Sequence, residues 1–226
     1  MTNESPLNDA EQFLLDFQDR ELPSLDNFVV GANQEAVTIL RHLQAGEGPT
    51  FVYLYGPKGA GITHLLRSLV PEQTLPVPQF DPAISLYVVD DVEALDRGWA
   101  LQLLALQNSI RNTPRARLVC GGKFPIAQLD LPDVVKSRLG WGLTYAIQPL
   151  SEEARFAELA RQAQLRGFDM TPEMQHWMSV SLPRDMRTLT RVLEEADRIG
   201  LVKKRKVTLP IIREAVAELE AQAKHA

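Results

Sequence analysis

The chain has 226 residues, a net charge of −5 and a hydrophobic fraction of 45%. This length suits one medium domain, with or without a small lobe. The acidic balance argues against broad binding to a nucleic-acid backbone, which requires a basic face. The single cysteine, Cys120, excludes an internal disulfide and a cysteine-rich zinc site. The polar N-terminus and the lack of any apolar run near the ~20 residues of a membrane helix favour a cytoplasmic protein with no membrane partner.

Residues 1–24 are predicted to form a tail that contains one apolar cluster. Within it, Gln12, Leu15 and Phe17 follow the spacing Q-x-x-L-x-F. This spacing resembles the peptide by which bacterial proteins bind the replication sliding clamp, and an exposed apolar cluster in a polar tail is typical of docking peptides. The alternative is a short helix over residues 11–18 that packs on its own domain.

The first predicted elements of the folded part are a helix, a strand and a second helix. Asn33 is placed to cap a helix with apolar residues at helical spacing. The apolar run Phe51–Tyr55 predicts a strand, followed by a glycine-rich turn and a helix with Leu65, Leu66 and Leu69. A strand, a glycine-rich turn and a helix in this order present backbone N–H groups and a helix N-terminus to an anion.

The glycine-rich turn matches most of the phosphate-loop pattern G-x-x-x-x-G-K-[ST]. Gly56, Gly61 and Thr63 fall on the pattern, but Ile62 stands where the lysine belongs. Because that lysine contacts the β- and γ-phosphates, the loop lacks a main electrostatic contact. Lys58 is not at an equivalent position. Two interpretations stay open, a nucleotide cradle or a plain strand-to-helix turn.

A strand that ends in two carboxylates is predicted next. Val70–Pro82 contains four prolines and is expected to hold one short edge strand at most. Ile84–Val89 predicts a buried strand that ends at Asp90 and Asp91. In phosphate-loop folds such acids hold Mg²⁺ and orient the attacking water. Acids at the end of a strand are also common by chance, so the assignment depends on their spacing after the loop.

The rest of the chain predicts the end of an α/β core and then a run of helices. We expect a helix over Arg97–Ile110, a strand over Arg117–Cys120 and a turn at Gly121–Lys123, after which Pro125–Trp141 leads out of the core. Four helices are then predicted, beginning near Ser151, Thr171, Pro183 and Pro210. The fold class is therefore α/β, with a small all-helical lobe at the end.

On five motifs the chain resembles the DnaA/Hda family of AAA+ proteins, over about residues 25–223. These motifs are D-N-F-V-V-G (26–31), T-H-L-L (63–66), V-V-D-D (88–91), K-S-R-L-G-W-G-L-T (136–144) and R-D-M-R-T-L (184–189). The resemblance implies an AAA+ type P-loop parallel sheet core over residues 25–148 and a helical lid over residues 149–226. It also implies a role in DNA replication. The sequence shows no counterpart of the DNA-binding domain that follows the lid in DnaA, which favours the Hda branch.

The resemblance also assigns residues to a nucleotide site. The adenine pocket would be lined by Phe28, Val29 and Val30. The phosphates and Mg²⁺ would be contacted by Gly56, Gly59, Gly61 and Thr63. The acidic strand end would be Asp90 and Asp91, and the sensor-2 residue would be Arg187. If Mg²⁺ is held at all, it would accompany the nucleotide at Thr63 and Asp90.

Arg138 matches the arginine finger of the family, which acts on a nucleotide held by a neighbouring subunit. A surface ion pair is the alternative for Arg138 and for Arg187. Ile62, and Gly122 at the sensor-1 position, depart from the family pattern. We therefore expect no independent ATPase activity, while binding of ADP stays open.

The expected function is an activator in trans that inhibits replication initiation. Gln12, Leu15 and Phe17 would bind the DNA-loaded clamp, and Arg138 would promote hydrolysis of ATP on the initiator DnaA. DNA would then be contacted indirectly through the clamp, and a homo-oligomer is allowed. The alternatives are a non-catalytic adaptor that recruits partners to DnaA or the clamp, and a self-contained hydrolase. Ile62 argues against the hydrolase.

Overall fold

The structure is a computed structural model that describes residues 22–225. The tail residues Gln12, Leu15 and Phe17 lie outside the described residues. The chain divides into two compact units, Leu22–Ser151 and the unit that begins at Glu152, and each is described by itself. Among residues 22–225, no helix has both the length and the apolarity needed to cross a bilayer.

The first unit is a parallel α/β sheet, which confirms the predicted fold class. All three pairs of neighbouring strands are parallel, in the order β2 (Leu86–Val89), β3 (Arg117–Gly122), β1 (Phe51–Tyr55) and β4 (Leu143–Ala146). Short 3₁₀ turns lie at Val92–Ala94 and Ile126–Gln128. The elements are α1 Gln34–Gln44, β1 Phe51–Tyr55, α2 Ile62–Leu69, β2 Leu86–Val89, α3 Arg97–Arg111, β3 Arg117–Gly122, α4 Asp133–Leu139 and β4 Leu143–Ala146.

Two hydrophobic clusters cover the two faces of this sheet. Tyr53 belongs to one cluster with residues of α3 and α4, whereas Leu54 belongs to the other with residues of α1 and α2. Successive side chains of a strand point to opposite faces, so β1 contributes to both clusters. This double burial explains why the central strands are continuous apolar runs in the sequence.

The prediction that Pro125–Trp141 leads out of the core is wrong. This segment contains α4, whose Val135 and Leu139 are buried in the cluster with Tyr53. It is followed by β4, which pairs along β1 and was not predicted. The strand was missed because it forms an edge of the sheet. Its residues are mostly exposed, so the sequence shows no buried apolar run.

Two local predictions also need correction. Gly121 and Gly122 lie within β3 rather than in a turn, because they pair with Leu54 and Tyr55 of β1. Ile84 is 44% exposed and precedes β2, which begins at Leu86. No strand occurs between α2 and β2, in agreement with the prolines of that segment.

Asn33 does not cap α1 through its side chain. Its buried amide instead donates to the carbonyl oxygen of Gln148 at 2.9 Å and accepts from the amide of Gln148 at 2.8 Å. Asn33 thereby ties the start of α1 to the chain that follows β4. The helix itself is confirmed over Gln34–Gln44.

The described part of the second unit consists of four helices, as the sequence predicts. They are α5 Glu152–Leu165, α6 Pro172–Ser181, α7 Met186–Lys203 and α8 Leu209–His225. Thr171 caps α6 by accepting from the amide of Met174. Asp185 caps α7 in the same way, so this helix begins after the predicted Pro183. Their apolar faces share one buried cluster around Leu193.

Candidate functional site

The phosphate-like loop joins β1 to α2 at the C-terminal end of the central strand. The amide of Gly56 donates to the carbonyl oxygen of Gly122 on β3 at 3.2 Å, which anchors the start of the loop. Gly59 and Gly61 have φ angles of +87° and +94°, in the left-handed region that favours glycine. The loop thus has a defined backbone conformation that leads directly into a helix N-terminus.

The segment expected to line an adenine pocket packs against this loop. A Cβ atom on Gly61 would lie only 2.7 Å from Cε2 of Phe28, so Phe28 covers the end of the loop. The ring of Phe28 also contacts His64, at 5.6 Å between centroids, and Nε2 of His64 lies 3.0 Å from the carbonyl oxygen of Ser24. Val29 and Val30 are partly buried in the same segment. The structure brings these residues to the loop, and their role in binding adenine stays a prediction.

Ile62 is the first residue of α2, and its side chain is 9% exposed. It belongs to the cluster that contains Leu54 and Val88, and its Cγ2 atom lies 2.6 Å from where a Cβ atom of Gly121 would stand. The side chain at the lysine position therefore packs on β3 as part of the core. Lys58, the one cation within the loop itself, is exposed and makes no ion pair among residues 22–225.

Only one of the two acids after β2 is close to the loop. Partial burial raises the pKa of Asp90 above its ordinary value, although a hydrogen bond from Thr63 works in the opposite direction. The structure therefore brings together Thr63 and Asp90, the two candidate Mg²⁺ ligands. Asp91 adopts a φ of +47° and lies 3.6 Å from the amine of Lys123.

The expected loss of a sensor-1 contact has a steric explanation. A Cβ atom on Gly122 would come within 2.8 Å of both the Tyr53 hydroxyl and Oε2 of Glu93. Glu93 forms an ion pair with Lys123 at 2.9 Å. Burial acts to raise the pKa of Glu93, but its hydrogen bonds and charge contact with Lys123 bring it below the ordinary value. A side chain at this position would require Tyr53, Glu93 or Val92 to move.

Glu93 and Lys123 were not identified from the sequence. Each follows the end of one of two strands that the sequence predicts, and their opposite charges were the available signal. The pairing of the strands, β2 beside β3, was needed to bring the two ends together.

The two candidate functional arginines lie in different units. Arg187 is exposed in the first turn of α7, and its sensor-2 role stays a prediction. Arg138 is half-buried in the last turn of α4. Its guanidinium donates to the side-chain oxygen of Asn108 and lies over the ring of Trp141, with Cζ at 4.9 Å from the centroid. Among residues 22–225, Arg138 has no carboxylate partner.

The remaining reactive groups point to no further site. Cys120 is buried in β3, and burial raises the pKa of its thiol, as expected of a structural residue. Within residues 22–225, no three His, Cys, Asp or Glu side chains converge in a way that could hold a metal ion.

Solved structures with this arrangement belong to AAA+ proteins. Domain III of the replication initiation protein DnaA from Thermotoga maritima matches with a TM-score of 0.67 and 17% identity, covering 86% of this chain and 95% of that one. AMPPCP-bound DnaA from Aquifex aeolicus matches with a TM-score of 0.60 and 18% identity, covering 80% and 64%. The Thermotoga maritima RuvB branch migration motor matches with a TM-score of 0.61 and 17% identity, covering 87% and 72%. At such identities the matches establish the AAA+ fold alone.

The helical unit is similar to a domain of a known family. Residues 152–216 match the family model described as the Hda lid domain. Over these residues the chain is similar to the lid domain of Hda. The expectation of an AAA+ core followed by a helical lid is confirmed.

Proposed function

We propose that the protein is a negative regulator of replication initiation that stimulates hydrolysis of the ATP bound to DnaA. In this proposal it acts together with the DNA-loaded sliding clamp and supplies Arg138 in trans. One observation carries the proposal. The lysine position of its own loop is occupied by the buried Ile62, whereas Arg138 presents a guanidinium that no carboxylate neutralises among residues 22–225.

Arg138 has the chemical properties that the proposed step needs. A cation placed in trans stabilises the charge that develops on the transferring phosphoryl group and is worth about 10³–10⁵ in rate in the best cases. The contacts of Arg138 with Trp141 and Asn108 are a cation–π contact and a neutral hydrogen bond. Each is worth about 1 kcal/mol at a surface, so the guanidinium can exchange them for a phosphate.

The protein's own loop fits an adenine nucleotide only in part. The backbone of the loop, Phe28 and the pair of Thr63 and Asp90 would hold a diphosphate, an adenine and Mg²⁺. Bound ADP would supply binding energy and no chemistry. Without a lysine at position 62 the loop lacks the cation that meets the β- and γ-phosphates. We therefore propose that the protein is not an independent ATPase, and that Mg²⁺ binds only with nucleotide.

The test is turnover of DnaA-ATP in the presence of clamp, DNA and saturating protein. Arg138→Ala should lower the stimulated rate by about 10³-fold, and Arg138→Lys should restore part of it. Arg97→Ala, which removes another exposed arginine of the same unit, serves as the control and should leave the rate unchanged. Full stimulation by Arg138→Ala would overturn the proposal.

A non-catalytic adaptor is the second candidate. The contacts of Arg138 with Asn108 and Trp141 favour it, because they give the guanidinium a role within its own unit. An adaptor would bind DnaA equally well with Arg138→Ala. It would fail instead when Gln12, Leu15 and Phe17 are replaced by alanine. Pull-down of DnaA and of the clamp with both variants separates the two functions.

A further inference from the structure

A cleft of about 390 Å³ opens at the start of β1, at the end of the strand opposite the phosphate-like loop. It is lined by Pro49, Thr50, Phe51, Arg111, Trp141 and Gly142. The backbone of Gly142 packs directly on β1, since a Cβ atom there would stand 1.8 Å from the carbonyl oxygen of Phe51. Trp141 is thereby placed edge-on to Phe51, with 5.9 Å between ring centroids. The wall of the cleft is set by the backbone as well as by side chains.

Two guanidinium groups share the ring of Trp141. Arg111 lies 4.7 Å and Arg138 lies 4.9 Å from its centroid, so the two cations are within about 10 Å of each other. Neither forms an ion pair among residues 22–225. Like charges at this separation repel, and an anion bound beside them would relieve the repulsion.

We infer that Arg111 and Trp141 form a docking surface for an acidic segment of the partner initiator. This inference rests on the proposed function and adds to it a second contact, made by Arg111 beside the finger. The guanidinium of Arg111 would take a carboxylate in a bidentate contact. Apolar side chains next to that carboxylate would pack on Trp141, which is 41% exposed, and on Pro49.

The lining of the cleft favours an acidic protein segment over a nucleic-acid backbone. A nucleic-acid surface neutralises many phosphates with many cations. Here one arginine lines the cleft, beside aromatic and proline walls, in a chain of net charge −5. Tryptophan and arginine are also the residues that dominate binding energy at protein interfaces. The charge and the apolar walls together complement a carboxylate flanked by apolar residues.

The experiment separates docking from catalysis by their different effects on the stimulated reaction. The full chain is titrated into DnaA-ATP with clamp and DNA, using Arg111→Ala and Arg111→Glu. Each variant should raise the half-saturating concentration by about 10–100-fold and leave the rate at saturation unchanged. Arg115→Ala, an exposed arginine four residues away, is the matched control and should change neither. Thermal unfolding of each variant checks that the fold is intact.

A direct affinity measurement completes the design, with DnaA bound to a non-hydrolysable ATP analogue. Arg111→Glu should weaken this binding, and the loss should be smaller at high salt. A lower rate at saturation with an unchanged half-saturating concentration would overturn the inference and make Arg111 a second catalytic cation. Weaker binding to bare DNA with unchanged binding to DnaA would overturn it in favour of a phosphate contact.

The two proposals fail in distinguishable ways. Binding that depends on Arg111 without any stimulation by the wild-type chain would leave the docking surface standing and remove the proposed function. Normal stimulation and normal affinity with Arg111→Glu would remove the docking surface and leave the proposed function standing.

Discussion

The two ends of β1 carry opposite electrostatic arrangements. Beyond its C-terminal end, the loop faces Asp90 with Ile62 at the position of the phosphate-binding cation. Beside its N-terminal end, Arg111 and Arg138 share Trp141 without a carboxylate partner among residues 22–225. One strand therefore supports a nucleotide-like site without the phosphate-loop lysine at its C-terminal end and a surface with two arginines beside its N-terminal end. Under the proposed function, charge placement rather than fold would distinguish action on an own nucleotide from action on that of a partner.

The loop end also shows how such a site can lose its charge without losing its shape. Full burial of an isoleucine side chain contributes about 1.5–3 kcal/mol, and Ile62 joins the cluster of Leu54 and Val88. A lysine in the same place would have to be desolvated or extended toward a ligand. With isoleucine at position 62 the side chain packs in the core, and the loop keeps the backbone that Gly56 and Gly61 provide.

The largest effect is expected for a substitution at Gly142, whose backbone packs on β1 at the N-terminal end of that strand, beside Trp141. Gly142→Ala would place a methyl group 1.8 Å from the carbonyl oxygen of Phe51, so β4 or β1 must move. We expect a loss of about 3 kcal/mol in the free energy of unfolding, as for severe overpacking. Urea denaturation measures it. The control is Gly140→Ala, where the nearest atom would be at 3.5 Å and the loss should be small. Equal stability of the two variants would show that the chain is not tightly packed at Gly142.

The sequence predicted the central elements because each has a strong local signal. The apolar run of β1, the glycines at 56 and 61 and the capped helices are visible without any tertiary information. The replacement at Ile62 was equally visible. Its consequence, burial against Gly121, required the position of β3.

The rest depended on contacts between distant parts of the chain. The edge strand β4 has little apolar patterning because its residues are mostly exposed. Asn33 follows the helix-cap pattern, yet its amide pairs with Gln148, 115 residues away. The approach of Arg111 to Trp141 joins the end of α3 to the turn before β4, and no spacing in the sequence indicates it.

An intermediate effect is expected when the missing cation is restored to the loop. Ile62→Lys places an ammonium beside the phosphate position and near Asp90, since both side chains lie over Gly121. We expect the affinity for ADP to rise by about 10–100-fold, from the charge contact with phosphate. Isothermal titration calorimetry measures the change.

Ile62→Met is the matched control for that substitution, because methionine is unbranched like lysine but uncharged. It should leave the affinity for ADP unchanged. If both variants bind ADP as the wild type does, the loop is a plain strand-to-helix turn. The C-terminal end of β1 would then carry no nucleotide-like site.

The smallest effect concerns the carboxylate that remains at the loop. Partial burial raises the pKa of Asp90, so the folded chain holds this proton more tightly than the unfolded chain does, whose value is near 3.8. Ionised Asp90 therefore reduces stability above its folded-state pKa and has no such cost below 3.8. Asp90→Asn should raise the Tm at pH 7, and the gain should shrink as the pH falls through the folded-state pKa and be gone below 3.8.

Melting curves from pH 3 to pH 8 test this dependence, with Asp91→Asn as the control. Asp91 is exposed and loses only a 3.6 Å contact with Lys123, so its replacement should give no gain at any pH. In the Ile62→Lys background the benefit of Asp90→Asn should vanish, because a neighbouring ammonium favours the ionised carboxylate. A wild-type chain more stable than Asp90→Asn at pH 7 would mean that Asp90 already has a compensating partner. The loop end would then not be short of positive charge.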